Sequence, residues 1–112
     1  MKRLAAFVLT LAAVVAFAPA TASAATCTPP KYPGSGYFTS LKVTKVSCST
    51  GKKVTLAHYK CRVKHGVKGR CVSKVLGYAC TESRRSIETE IDGTVTCKNG
   101  SKKVVYSYQQ DT

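Results

Sequence analysis

Six cysteines, Cys27, Cys48, Cys61, Cys71, Cys80 and Cys97, constrain this chain more than anything else in it. None lies in the first 26 residues, and that opening has the layout of an export signal. Lys2 and Arg3 precede an uncharged apolar run, Leu4 to Ala18, which Pro19 ends, and Ala22-Ser23-Ala24 offers a small-x-small cleavage site. The run is shorter than the ~20 residues a membrane span needs. Thr26 directly before Cys27 spoils a lipid-attachment box. Residues 1–25 are therefore expected to be a signal peptide. Their removal from the 112-residue chain leaves 87 residues. An exported chain of that size with an even number of cysteines is expected to carry a three-disulfide framework, because so small a core is marginal on burial alone.

Charge is the second constraint. The whole chain carries +13, and without Lys2 and Arg3 it carries +11. Residues 31–80 hold eleven basic residues and no acid, whereas residues 81–112 hold five of each sign. A field of this kind attracts polyanions. Outside a cell these include wall polymers, sulfated glycans and anionic membrane surfaces. The same charge would also keep a small secreted protein soluble.

Residues 26–36, TCTPPKYPGSG, read as a Pro/Gly-rich arm tied down by Cys27. Residues 37–46 alternate as a strand. Ser47 or Ser49 can cap a helix over 48–64, weakened by Gly51 and Thr55. Its core face is expected to hold Val54, Ala57, His58 and Cys61. Lys53, Lys60 and Lys64 line its solvent side, and Gly66 suits its end. Residues 75–80, 94–97 and 103–108 read as strands, the last two joined by the hairpin signal Asn99-Gly100. The order β-α-β-β-β predicts an α+β domain, residues 37–112, with one helix on a small, mostly antiparallel four-stranded sheet.

If the first strand, the helix and the second strand form a crossover unit, those two strands run parallel. Cys48 and Cys80 then share one end of the sheet, and Cys61 and Cys71 meet at the other. The next strand runs back, so Cys97 ends near the chain's entry and Cys27. The expected pairing is 48–80, 61–71 and 27–97.

The runs LKVTKVSCSTGKKV, GYAC and TVTCKNGSKKVVYSYQ resemble small exported cysteine-containing domains of actinobacteria, a group of unknown function. The resemblance covers residues 36–110 and implies a strand, a helix opening on cysteine, and a closing hairpin. Where that group often has alanine after the helix cysteine, this chain has Gly51. The resemblance implies no catalytic residue.

Catalytic chemistry finds little footing. Cysteine catalysis needs a free thiol, and here the thiols are expected to be oxidised. A Ser-His-Asp arrangement needs an orienting acid, but every acid follows residue 81 and no G-x-S-x-G occurs. Glu88, Glu90 and Asp92 could space two carboxylates as a glycosidase does, but SIETEIDG reads as a polar rim ending in a turn at Asp92-Gly93. Cys61-x3-His65 with Cys71 has loosely zinc-like spacing, which the oxidising compartment and the surrounding cations oppose. Signatures of sequence-specific nucleic-acid modules are absent.

The expectation is thus a monomeric, non-enzymatic, secreted basic protein, free or wall-associated, without a cofactor. Lys52, Lys53, Lys60, Arg62, Lys64, Lys68 and Arg70 are its candidate anion-binding residues. The alternative is a protein-binding factor such as a hydrolase inhibitor, because a stapled loop loses little entropy on binding. Its contact would be the loop 62–70 or the hairpin 98–102.

Overall fold

A computed structural model describes residues 24–112. The proposed signal peptide, apart from Ala24 and Ala25, lies outside the described residues. Five strands and a helix follow in the order β1 (Ala25–Cys27), β2 (Gly36–Thr44), α1 (Cys48–Val63), β3 (Ala79–Ile87), β4 (Glu90–Asn99) and β5 (Lys102–Asp111). The strands form one sheet in the order β1-β2-β5-β4-β3, antiparallel at every pairing. The α+β class stands, with five strands in place of the expected four. The extra strand comes from the start of the arm together with Ala25 before it, residues 25–27 pairing with Val43, Lys42 and Leu41.

The helix packs on one face of the sheet. Leu41, Val43, Val95, Cys97, Val104 and Tyr106 are buried there, one every second residue along their strands, as the pleat requires. Val54 meets them from the helix. Tyr32 from the arm, Phe38 and Tyr59 add edge-to-face aromatic contacts, with Tyr32 and Phe38 centred 4.7 Å apart. Ser47 caps α1 by accepting from the Thr50 amide at 3.1 Å.

The expected crossover does not form. After α1 the chain passes to the far edge of the sheet, and β3 runs opposite to β2. Residues 75–78 make a tight turn instead of a strand, with Leu76 and Gly77 at positive φ and a bridge between Val75 and Tyr78. Cys80 therefore lies at the start of β3, directly opposite Cys97. The disulfides are Cys27–Cys48, Cys61–Cys71 and Cys80–Cys97, which corrects two of the three expected pairings and keeps 61–71. Cys27 reaches the helix start because β1 pairs with the half of β2 that leads into it.

The segment SIETEIDG is also different from the expected rim. It forms the β3–β4 hairpin, and Asp92-Gly93 sits within β4 and not in a turn. A strand tolerates Gly93 because the Tyr108 ring occupies the space of its missing side chain. A Cβ there would lie 2.3 Å from Tyr108 Cε1.

Candidate functional site

The loop 62–70, bounded by Cys61 and Cys71, is held at several points. The disulfide closes its ends. From β3, Arg84 donates to the carbonyls of Lys68 and Gly69, both at 2.8 Å, while its Nε meets Glu82 Oε2 at 2.6 Å. From β5, Gln110 donates to the Val67 carbonyl at 2.6 Å. Gly69 presses against the helix end, where a Cβ would lie 2.4 Å from the Arg62 carbonyl oxygen. The loop is thus a fixed feature of the surface.

Arg62, expected among the solvent-facing cations, is 0 % exposed. It continues the stripe that buries Val54, Thr55 and His58, because residues four apart share a helix face. Its Nη1 donates to Gln110 Oε1 at 2.8 Å and its Nη2 to the Tyr32 hydroxyl at 3.0 Å. Tyr32 in turn donates to Gln110 Oε1. The guanidinium lies 4.1 Å from the centre of the Tyr108 ring and 5.4 Å from that of Tyr59. The Tyr108 hydroxyl donates to Glu82 Oε1 at 3.1 Å. Arg62 is therefore a structural cation, and it leaves the anion-binding set.

His58 is buried too, with Nδ1 hydrogen-bonded to the Tyr106 hydroxyl. Burial lowers its pKa to about 4, so it stays neutral. Burial likewise raises the Tyr106 hydroxyl and pushes Tyr108 up to about 12. Ala57 and Cys61, expected on the core face, are only half-buried, and Gly51, Thr55 and Arg62 take their place. The disulfide consumes the thiols of the zinc-like spacing.

The remaining candidates face outward. Lys53, Lys60 and Lys64 are exposed along α1, Lys52 is half-buried, and Lys68 and Arg70 are exposed on the loop. Arg70 stands 3.6 Å from Glu82, so part of its charge is already answered.

A second group of cations was not singled out in the sequence. Lys42, Lys98 and Lys103 lie on the sheet face opposite the helix, because they alternate with buried residues. Lys98 and Lys103 are cross-strand partners, and Lys103 is diagonal to Lys42. Beside them a row of hydroxyls, Ser40–Ser107–Thr94–Ser83, crosses four strands in register. The signal for this group was present in the alternation of Lys42 with Leu41 and Val43, but pairing across strands is not visible in a linear chain.

Among the described residues no helix is long and apolar enough to cross a membrane. Fold and surface together define a small, disulfide-stapled α+β domain with exposed cations on two faces. No known family, curated protein or solved structure matches the chain.

Proposed function

We propose that this is a secreted, non-enzymatic basic protein that binds an anionic polymer outside the cell. The observation that carries the reading is the run of eleven cations without an acid over residues 31–80. Once Arg62 is set aside, Lys53, Lys60, Lys64 and Lys68 remain exposed and have no acid within salt-bridge distance among the described residues. Three disulfides suit an oxidising compartment, and the absence of any free thiol in the described residues removes cysteine as a nucleophile.

The test is retention of the oxidised protein on an immobilised polyanion such as polyphosphate. Retention at low salt and release at moderate salt are expected, because exposed charges are screened within about 8 Å at physiological ionic strength. Replacing Lys53, Lys60, Lys64 and Lys68 together by Gln should move release to lower salt. A protein that passes straight through at low salt would refute the reading.

One observation favours a second reading, binding to a protein partner. Val67, Val72 and Leu76 are exposed apolar side chains in and just beyond the clamped loop. Recovery of a stoichiometric partner from culture medium, lost on Val72→Asp, would support it over polymer binding.

A further inference from the structure

The sheet carries its helix on one face only, and the other face has an ordered chemistry. Of the rows of side chains that cross it, three stand out. The first holds Lys103 and Lys98 as direct partners, and Lys42 stands one row nearer the hydroxyls, opposite Val105 and in line with Thr96 and Thr81. The second is the hydroxyl row Ser40–Ser107–Thr94–Ser83, in which Thr94 and Ser107 meet at 3.2 Å. The third begins with Tyr37, 68 % exposed, and continues through Gln109 to Asp92 and Arg85. Between the second and third rows lies a depression of about 340 Å³, whose lining includes Ser83, Thr94, Ser107, Gln109, Arg85 and the acid Asp92.

Like charges directly opposite one another on a sheet destabilise it. Nothing on this face offsets the lysines, because its nearest acid along β4, Asp92, is six residues from Lys98, or about 20 Å at ~3.4 Å per residue. The acids Glu88, Glu90, Asp92 and Asp111 gather at the other end, around the β3–β4 turn. The lysines thus form an uncompensated positive cluster across three adjacent strands at one end of the face, with the hydroxyl row in the middle and an exposed aromatic ring toward the other end.

We propose that this open face binds an acidic polysaccharide running along the strands. Lys42, Lys103 and Lys98 hold its anionic groups at one end of the face, the last two about 20 Å along the strands from the row of Tyr37. The Ser/Thr row exchanges hydrogen bonds with its sugar hydroxyls, since a hydroxyl can both donate and accept. Tyr37 offers its ring face to the apolar face of a sugar ring, as an exposed aromatic with a polar tip is suited to do. Charge alone would accept any polyanion, and it is the hydroxyl row and Tyr37 that favour a sugar polymer. The inference rests on the anionic-polymer reading above and names a surface and a ligand class for it.

The test compares three variants of the oxidised protein, Lys42→Gln/Lys98→Gln/Lys103→Gln, Tyr37→Ala and Lys53→Gln/Lys60→Gln/Lys64→Gln, on polygalacturonate and on polyphosphate. All the replaced side chains are exposed or half-buried, so folding should survive, and circular dichroism checks it. The sheet-face triple variant should lose about tenfold in polygalacturonate affinity, as three partly exposed charge contacts would give. Tyr37→Ala should lose roughly fivefold on polygalacturonate and nothing on polyphosphate. If the helix variant weakens polygalacturonate binding and the sheet-face variant does not, this face is the wrong one while the general reading stands. If Tyr37→Ala leaves polygalacturonate binding unchanged, the ligand is a polyanion of any kind and not a sugar polymer. If neither polymer is retained, both readings fall.

Discussion

The Arg62 guanidinium lies 4.1 Å from the centre of the Tyr108 ring, and the hydroxyl of that same tyrosine donates to Glu82. A buried cation and a nearly buried carboxylate, whose side chain is 7 % exposed, are thus joined through an aromatic ring. No direct ion pair links them.

This arrangement makes Arg62 a stability residue. Removing it takes one of two donors from Gln110 Oε1 and the donor to the Tyr32 hydroxyl, and opens a cavity among three tyrosines. Arg62→Ala should therefore cost roughly 3 kcal/mol in denaturant unfolding. At temperatures where the variant remains folded, its retention on a polyanion should be unchanged, because a buried charge makes no contact with a polymer. Full stability together with lost retention would show that the cation faces solvent.

His58 predicts a pH dependence. Its folded pKa of about 4 is below the ordinary 6.5, so between these values the unfolded chain binds a proton that the folded chain does not. Stability is then fully present above about pH 6.5 and falls as pH drops toward 4, by up to about 3 kcal/mol from this group. His58→Gln should be less stable at pH 7, through loss of packing and of the Tyr106 hydrogen bond, but its stability should vary less between pH 6.5 and 4. Urea midpoints for both proteins across that range provide the check. Parallel pH profiles would assign the dependence to other groups.

The disulfides give a chemical test. Proteolysis of the unreduced protein and mass spectrometry of the linked peptides should recover 27–48, 61–71 and 80–97. A 48–80 peptide would restore the crossover topology. Replacing Cys61 and Cys71 together by Ala should cost about 3 kcal/mol, since the closed loop spans a separation of only 10 residues. The clamps from Arg84 and Gln110 would remain, so the loop should stay folded in that variant.

Much of the fold was legible because it is written in short-range patterns. Val95 and Cys97, and Val104, Tyr106 and Tyr108, alternate along β4 and β5 and are the residues those strands bury, and Asn99-Gly100 marks their turn. β3 was misread because it has little apolar alternation to detect. Its inward residues, Glu82 and Arg84, are held by ion pairing and by hydrogen bonds to a loop distant in sequence. Arg62 was misplaced for a related reason: its helical position pointed inward, but its charge suggested solvent, and only the tyrosines gathered from β5, the arm and the helix make burial tolerable. The lysine cluster on the open face depends on strand order, which the misplaced β3 obscured.

Gly51 separates helix propensity from packing. In isolation, Gly→Ala inside a helix gains about 1 kcal/mol. Here the glycine is buried against β2, and a Cβ would lie 2.5 Å from Val43 Cγ1, too close for Val43 to remain where it is. Val43 is itself 2 % exposed and packed within the core, so it has little room to yield. Overpacking of this kind costs typically 1–3 kcal/mol. Gly51→Ala should therefore be net destabilising by about 1 kcal/mol, and Gly51→Ala/Val43→Ala should be less destabilised than the sum of the two single changes, because the second removes the clash created by the first. A double-mutant cycle in urea measures that coupling. A single Gly51→Ala that stabilises the protein would mean that α1 stands farther from the sheet than its contact with Val43 requires.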